Sequence, residues 1–368
     1  MERVAEEKFV FLQRNISQKP YEKKKNKTFQ FRNVHLWIAA LVVLLGLAAT
    51  TKFLFFFPMT AEKEHRYLYI ASPNIDSVYN QLQPQVRTLP YWGFQLLCLA
   101  THYDQQIKTG KYEIGAGLTA IDLLRNLRNK HQVPVRLTIP NVRTMNHLSA
   151  KLAKVLCPDS AAFAQCFHDD SICQKYNCTV ATLPALFLPN TYEVYWDITP
   201  EQLLKRMQKE SEAFWTTERL QLAKEQGFTT NEIITLASIV DQETANNAEK
   251  PAIAGMYINR LRANMLLQAD PTVKFALQEF GLRRILHDHL KIDSPYNTYR
   301  YKGLPPGPIA LPALSSIEAV LHAEKHDYLF MCAKEDFSGT HNFARTYQEH
   351  LANARKYTKA LDQRGIKK

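Results

Sequence analysis

Near its start the chain carries a long, almost unbroken run of hydrophobic residues. Leu36–Phe57 contains 22 residues with a single charge, Lys52. At about 1.5 Å per residue, this run forms a helix about 33 Å long, which is sufficient to cross a bilayer. Pro58 predicts that the helix ends there. We therefore predict a transmembrane helix over 36–57. A cleaved signal peptide and a buried core helix are the alternatives, and the 35 preceding residues favour the uncleaved anchor.

After this run, short hydrophobic segments alternate between strand and helix patterns. Clusters of β-branched and aromatic residues predict three strands, at Tyr67–Ala71, Lys108–Ile114 and Val133–Ile139. Thr119 and Thr144 each precede apolar residues at helical spacing and are predicted helix caps. Residues 66–155 are therefore predicted to form a small α+β module. It shows no acid–base constellation, so we expect it to bind or to act as a spacer.

The next segment, 156–198, has no clear periodicity and is rich in cysteine, so we predict an irregular connector. Thr199 and Pro200 then predict the start of a long polar helix that runs to about Gln226, with Gly227 ending it. All six cysteines follow the apolar run: Cys98, Cys157, Cys166, Cys173, Cys178 and Cys332. One or two disulfides in an oxidising compartment and free buried thiols are equally good interpretations, and the spacing does not indicate zinc.

The charge distribution orients the chain. Hydrophobic residues make up 46% of the sequence, which excludes global disorder, and the net charge is +11. Residues 1–35 hold nine basic and four acidic residues and directly precede the apolar run. The positive-inside tendency predicts a cytoplasmic basic tail over 1–35, with everything after residue 58 outside the cytoplasm. Anionic lipid explains this basic cluster better than nucleic acid does, so we expect no nucleic-acid partner.

The first candidate for chemistry is a glutamate near the end of a predicted helix. Asn231–Thr244 has apolar residues at helical spacing, and Glu243 projects from the apolar side. Partial desolvation and the negative helix C-terminus both raise the pKa of a carboxyl group at this position. Such a group is suited to act as a general acid. Asp241 is expected to point outward. The alternative role for Glu243 is an ordinary salt-bridging or capping residue.

Four further motifs follow, in which polar and aromatic residues crowd between proline and glycine. They are QADPTV (268–273), DSPYNTY (293–299), GLPPGPI (303–309) and GTHNF (339–343), and the first is preceded by NRL (259–261). Rigid loops of this composition line clefts, and Tyr and Asn side chains suit sugar recognition. Each motif alone is compatible with ordinary turn chemistry.

Together and in this order, these motifs and the ASIVDQET segment (237–244), which contains Glu243, resemble the YceG-like (MltG) family of endolytic murein transglycosylases. The resemblance covers roughly 230–357. It implies an α+β protein with one membrane helix, a LysM-like module over 66–155 and a catalytic domain over 199–360. TIPNV (138–142) departs from the family's usual TIPEG-like stretch, which leaves the binding role of that loop open.

The resemblance implies a peptidoglycan lyase in the inner (plasma) membrane, with its catalytic domain outside the cytoplasm. Glu243 matches the family's catalytic glutamate, which protonates the bond between N-acetylmuramic acid and N-acetylglucosamine. The muramic C6 hydroxyl then closes a 1,6-anhydro ring. The predicted substrate-binding residues are Gln268, Asp270, Thr272, Tyr296, Asn297, Thr298, His341 and Phe343.

We expect neither a metal ion nor an organic cofactor, and the resemblance suggests coupling to peptidoglycan synthases. Asp270 is the nearest candidate for the second carboxylate that ordinary glycosidases use, although its Asp-Pro-Thr setting fits a turn or cap equally well. Two alternatives stay open: a non-catalytic peptidoglycan-binding scaffold and a muramidase that uses water.

Overall fold

The computed structural model describes residues 27–60, 65–282 and 284–364, with side chains from residue 34 onward. Most of the predicted cytoplasmic tail, 1–35, lies outside the described residues. Within them, α-helices alternate with three two-stranded sheets, each formed by two strands that are consecutive in the chain, so the predicted α+β class is confirmed.

The elements have the following bounds. The helices are α1 (Lys27–Thr51), α2 (Ile75–Leu82), α3 (Thr88–Ala100), α4 (Ala120–Arg128), α5 (Met145–Leu152), α6 (Ser160–Phe167), α7 (Asp170–Lys175), α8 (Pro200–Phe214), α9 (Thr217–Gln226), α10 (Thr230–Glu243), α11 (Lys250–Arg262), α12 (Asp270–Leu277), α13 (Leu314–Leu321) and α14 (Tyr347–Gln363). The strands are β1 (Arg66–Ile70), β2 (Gly110–Ile114), β3 (Val135–Thr138), β4 (Thr191–Val194), β5 (Phe330–Ala333) and β6 (His341–Ala344).

The apolar run forms a helix that is long enough to cross a membrane. Helix α1 continues into a wider helical turn, Lys52–Phe56, and the backbone becomes extended at Phe57, next to Pro58. The candidate span, Val34–Phe56, has none of its most apolar window buried in the protein. This exposure excludes the core-helix interpretation. A membrane anchor and a signal peptide both remain compatible with the helix.

Side-chain caps determine where several predicted helices begin. The hydroxyl groups of Thr119 and Thr144 accept hydrogen bonds from the backbone of the first turns of α4 and α5, as predicted. Thr199 caps α8 with a capping box. The prediction of one helix from Thr199 to Gln226 is wrong, because the chain leaves the helix at Trp215 and Thr216 caps a second one, α9. Gly227 ends α9 in the left-handed region, as predicted.

The segment 156–198 is more ordered than its sequence pattern indicated. It contains α6, α7 and β4, and β4 pairs antiparallel with β3 in the register Val135↔Val194 to Thr138↔Thr191. The prediction of an irregular connector is therefore wrong. Short helices bury few residues each, so their periodicity is too brief to see in the sequence. All six cysteines are free in the structure, four of them buried, which favours the thiol interpretation over disulfides.

Backbone contacts divide the chain into two compact units. The first comprises residues up to 66, 74–107 and 114–129, and it holds α1 to α4. The second comprises 67–73, 108–113 and 130–368, and it holds the remaining helices. These boundaries differ from the predicted ones at 155/156 and 198/199. The LysM likeness of residues 66–155 stays a prediction.

Helix α10 is the central helix of the second unit. A capping box between Thr229 and Glu232 starts it, and eight consecutive residues, Ile233–Val240, are buried. It packs against α11 and α13. A helix that is covered on all sides has no solvent face, so the prediction that Asp241 points outward is wrong. Asp241 forms a buried ion pair with Lys250, at 2.9 Å.

Candidate active site

Glu243 is the last residue of α10, and its carboxyl group reaches a cavity of about 240 Å³. The cavity is lined by residues from α10, α11, the 267–270 loop, the YNTY loop and the β5–β6 sheet: Glu243, Met256, Tyr257, Arg260, Leu267, Gln268, Asp270, Tyr299, Met331, Cys332, Ala333 and His341. The C-terminal end of a buried helix thus places one carboxyl group in a recess of mixed polar and apolar lining.

Tyr257 on α11 is the direct partner of this carboxyl group. Its hydroxyl group donates a hydrogen bond of 2.5 Å to Oε1 of Glu243, and the tyrosine side chain is itself buried. Burial raises the pKa of Glu243 to about 7, and the negative charge of Asp270 adds to this effect. The Tyr257 hydrogen bond and the nearby His341 and Lys274 lower the pKa, but by less. Glu243 is therefore largely protonated just below neutral pH, as a general acid must be.

Gln268 and Asp270, which the QADPTV motif predicted to bind substrate, both line the cavity. Gln268 adopts a left-handed backbone conformation (φ 52°), and its backbone N–H donates to the Thr298 carbonyl oxygen at 3.1 Å. Asp270 opens α12 and accepts a 2.6 Å hydrogen bond from the hydroxyl group of Tyr299. The positive φ costs conformational energy in a residue other than glycine, and the surrounding contacts maintain it.

Arg260, from the NRL motif, holds this loop in place. Its guanidinium group is buried and donates to the backbone oxygens of Leu267, at 2.8 Å, and of Leu329, at 2.5 Å. These two acceptors lie on the loop before Gln268 and immediately before strand β5. The arginine therefore joins two walls of the cavity, and burial lowers its pKa.

His341, at the start of β6, lines the cavity and is held by a second carboxylate. Its backbone N–H and its Nδ1 contact the two carboxylate oxygens of Glu249, at 2.6 and 2.9 Å. Glu249 is only 9% exposed, and Thr244, next to Glu243, donates to it at 3.4 Å. Glu249 thus links the end of α10 to the β5–β6 sheet and fixes the ring of His341 in the recess.

Three of the predicted sugar-binding residues are buried within the loops instead. Thr272, Asn297 and Thr298 are at most 1% exposed. The hydroxyl groups of Thr272 and Thr298 contact each other at 2.8 Å, and the Asn297 amide donates to the backbone oxygens of Leu290 and Ile292. The prediction that these three side chains contact sugar directly is therefore wrong, because they are not accessible from the cavity. Their polar groups are used to hold the QADPTV and YNTY loops together.

Two further predicted residues lie away from the Glu243 cavity. Tyr296 packs on Phe275 with ring centroids 4.7 Å apart and borders a different cavity, of about 440 Å³, next to Arg143. Phe343 stacks on Tyr328 with ring centroids 5.5 Å apart, and both partly buried rings pack against the hydrophobic core. The structure thus brings Glu243, Gln268, Asp270 and His341 together, and it leaves Tyr296 and Phe343 outside that group.

Sequence reasoning missed Tyr257, Tyr299 and Glu249. Tyr299 belongs to the quoted YNTY motif, but Tyr296 was chosen from it. A signal was present, because Asn297 is a turn former: its Oδ1 accepts from the backbone N–H of Tyr299, which redirects the chain after it. Tyr257 lies three residues before Arg260 and therefore on the same face of α11.

The GLPPGPI motif positions α10 and does not contact the cavity. Gly307 passes so close to Ala181 that an added Cβ would lie 1.9 Å from the Ala181 carbonyl oxygen. The backbone N–H of Ile309 donates to the hydroxyl group of Ser238, in the buried part of α10, at 3.0 Å. Asn141, in the divergent TIPNV segment, donates to the buried Asp241. This motif and this segment therefore support the helix that ends at Glu243.

Fold and site together define an α+β protein in which a buried helix delivers a carboxyl group of raised pKa to a recess of mixed polar and apolar lining. The sequence profile of the YceG-like family matches residues 71–356, a range that includes every residue of the cavity. Because this profile covers more than half of the chain, the protein belongs to the YceG-like family.

Individual relatives are similar over parts of the chain. The endolytic murein transglycosylase of Bacillus subtilis (strain 168) is 37% identical over 168 residues, 46% of this chain and 46% of that protein. That of Streptococcus pneumoniae serotype 2 (strain D39) is 28% identical over 281 residues, 67% of this chain and 50% of that protein. The chain thus spans about half the length of the curated relatives it matches.

A solved structure shows the same fold. The crystal structure of a YceG-like protein from Listeria monocytogenes aligns with a TM-score of 0.52 and 26% sequence identity. The alignment covers 79% of this chain and 99% of that chain.

Proposed function

We propose that this protein is a membrane-anchored endolytic lytic transglycosylase that cuts peptidoglycan glycan strands between N-acetylmuramic acid and N-acetylglucosamine. The observation that carries the proposal is the carboxyl group of Glu243, held in a recess with a pKa raised to about 7. The names of the two relatives, endolytic murein transglycosylase, support the substrate class.

In the proposed reaction, Glu243 acts twice. Its carboxyl group first donates a proton to the glycosidic oxygen, so that the bond from C1 of the muramic residue to that oxygen breaks. The resulting carboxylate accepts the proton of the muramic C6 hydroxyl group while O6 bonds to C1. The products are a 1,6-anhydro end and a free 4-hydroxyl group, and no water is consumed. Because the nucleophile belongs to the substrate, proximity replaces an activated water.

The residues around Glu243 have distinct proposed roles. Tyr257 stabilises the carboxylate that forms after the first proton transfer, since its hydroxyl group already donates to Oε1. Gln268 and His341 line the recess and offer polar groups to the sugars. Thr272, Asn297 and Thr298 act indirectly by fixing the loops that carry Gln268 and Tyr299.

Product mass tests the proposal. The purified full chain in detergent, given defined uncross-linked glycan strands, should release fragments one water lighter than hydrolysis products. Glu243→Gln should lose turnover by a factor of at least about a thousand and retain glycan binding. Glu212→Gln, an exposed glutamate on α8, is the matched control and should keep full activity. Products that carry only reducing ends would overturn the lytic assignment.

A muramidase that uses water is the second candidate, because Asp270 lines the same cavity as Glu243. Ordinary glycosidases need two carboxyl groups, one of which activates water or attacks C1. Asp270→Asn discriminates between the two reactions. On the acid side of the alkaline limb, a muramidase should lose its turnover with this substitution, whereas a lytic transglycosylase should retain most of it. The hydrogen bond from Tyr299 to Asp270 is equally compatible with a structural role, in which Asp270 holds the YNTY loop against α12.

The proposed location is the inner (plasma) membrane, with one pass through Val34–Phe56, the N-terminus in the cytoplasm and the cavity outside it. Protease added outside intact spheroplasts should degrade the chain after residue 58 and leave an N-terminal epitope intact.

Peptidoglycan synthases are the proposed partners. A non-catalytic scaffold would keep its cellular role in the Glu243→Gln variant, whereas the enzyme would not.

A further inference from the structure

Helix α3 is apolar on two opposite faces, and only one of them is buried. Its inner face packs within the first unit, and its buried residues are Pro90, Tyr91, Gly93, Phe94 and Cys98. The opposite face, which we call the outer face of α3, consists of Leu89, Trp92, Leu96 and Leu99. These four side chains are 44%, 52%, 51% and 74% exposed. Their spacing of three, four and three residues places them on one stripe.

An apolar stripe of this kind is unusual on a surface that faces water. Helices that are hydrophobic all round belong to protein cores or to membranes. A contiguous exposed apolar patch marks a surface that contacts another molecule or a lipid. The outer face of α3 includes a tryptophan and three leucines, and its four members carry no charge. The remaining question is which surroundings cover it.

The contacts of α3 within its unit indicate what covers the outer face. Gly93 lies against the end of the candidate membrane span, where an added Cβ would be 2.0 Å from the carbonyl oxygen of Leu54. The backbone N–H of Arg87, just before α3, donates to the carbonyl oxygen of Met59 at 2.7 Å. The Arg87 guanidinium group also lies 4.8 Å from the centre of the Phe57 ring. Helix α3 is therefore fixed at the level where the span ends.

We propose that the outer face of α3 lies in the outer interfacial layer of the bilayer and contacts lipid acyl chains beside the span. This inference rests on the proposed membrane anchoring of Val34–Phe56. An exposed apolar face on a helix that packs against the end of a membrane span is at the right depth for lipid without any further partner. Tryptophan is enriched at this depth, and amphipathic helices lie in this layer with their apolar face inward.

Such a contact makes the span and α3 a two-point attachment. A single helix can tilt and rotate in the bilayer, whereas a second helix inserted beside it restricts the tilt of everything fixed to both. In the first unit, α4 also packs against the end of the span. The lipid contact would therefore set the height and orientation of the whole first unit above the membrane.

Quenching of Trp92 fluorescence by brominated phospholipids tests the proposal on the full chain reconstituted in phosphatidylglycerol–phosphatidylethanolamine vesicles. Trp37, which is in the span, is first replaced by Phe. The signal of Trp92 is the difference between Trp37→Phe and the double variant Trp37→Phe/Trp92→Phe. We expect lipid brominated near the carbonyl end of the acyl chains to quench this signal at least two-fold, and aqueous iodide to have little effect.

A matched pair of charge variants checks that the outer face is responsible. Leu96→Glu/Leu99→Glu should reduce the quenching by brominated lipid and increase that by iodide. Asn80→Glu/Gln83→Glu adds the same charge at exposed polar positions of the same unit and should change neither.

The outcomes separate this inference from the anchoring on which it rests. Failure of the protein to float with the vesicles would refute the anchoring itself. Flotation combined with Trp92 quenched by iodide alone would overturn the lipid contact and leave the anchor standing. A third outcome is that Trp92 is shielded from both quenchers and becomes accessible to them when the protein is diluted in lipid. This result would show that a second copy of the chain covers this face, and it would also overturn the proposal.

Discussion

The hydroxyl group of Tyr257 lies 2.5 Å from Oε1 of Glu243, in a cavity that otherwise disfavours a charged carboxylate. Two opposing effects therefore set the acidity of the catalytic candidate. Burial raises the pKa, and the hydrogen bond lowers it. Their balance leaves the pKa at about 7, where a carboxyl group can both donate and accept a proton.

Removing the tyrosine hydroxyl group should raise the pKa of Glu243. In Tyr257→Phe, the carboxylate loses a hydrogen bond of the type that contributes about 1.5–3 kcal/mol. The alkaline limb of the kcat/KM profile should move to higher pH by about one to two units. Tyr296→Phe, a tyrosine outside the Glu243 cavity, is the control and should leave the limb in place. An unchanged limb in Tyr257→Phe would contradict the role given to this hydrogen bond.

Removing the charge of Asp270 should have the opposite effect. Its negative charge raises the pKa of Glu243, so Asp270→Asn should lower that pKa and shift the alkaline limb to lower pH. The shift should be larger at low ionic strength, because salt screens partly exposed charges. Asp293→Asn, which removes an exposed aspartate bonded to Tyr301, serves as the control. A shift in the same direction as that of Tyr257→Phe would be evidence against this electrostatic picture.

The raised pKa of Glu243 also predicts a pH-dependent stability difference. Its folded pKa of about 7 lies above the reference value of 4.5, so the native state binds more protons between these values. The free energy of unfolding therefore falls as pH rises through this window. Glu243→Gln should be more stable than the parent chain above pH 7, by about 3 kcal/mol at most, with the difference vanishing towards pH 4.5. Urea unfolding of both proteins at pH 5 and pH 8 measures it, and equal differences at both would contradict the prediction.

The buried ion pair behind the site predicts a large loss of stability when one partner is removed. The side chains of Asp241 and Lys250 are 6% and 5% exposed. Lys250→Met should lower the free energy of unfolding by about 3–5 kcal/mol, because Asp241 is left charged and buried. Lys291→Met removes the exposed pair with Asp288 and should cost less than about 1 kcal/mol. Similar losses in the two variants, in chemical denaturation, would rule out this account.

The glycine of GLPPGPI should be intolerant of even one added carbon. Because a Cβ at Gly307 would overlap the Ala181 carbonyl oxygen, Gly307→Ala should destabilise the protein by about 1–3 kcal/mol. Gly281 has no atom within 4 Å of an added Cβ, so Gly281→Ala is the matched control. Thermal unfolding of the two variants checks the difference, and a neutral Gly307→Ala would show that the loop can move aside.

Much of the local structure was predictable because its causes are local. The capping threonines, Gly227 and the apolar run act through neighbours in sequence, so Thr119, Thr144 and Thr199 cap helices where predicted. The break at Trp215 was not predictable in this way, since both sides of it are polar and helix-forming. The short helices of 156–198 were missed because each buries only one to three residues.

By itself, the sequence determined the candidate span, the α+β class, the family and the position of Glu243 at a helix end. Only the tertiary structure decided which polar residues face the cavity. A motif lists residue types, but burial and hydrogen-bond partners come from distant segments. Thus Tyr299, and not Tyr296, meets Asp270, and Thr272 and Thr298 meet each other. Asp241 turned inward for the same reason: helix α10 is enclosed by elements far along the chain, and its polar side pairs with Lys250.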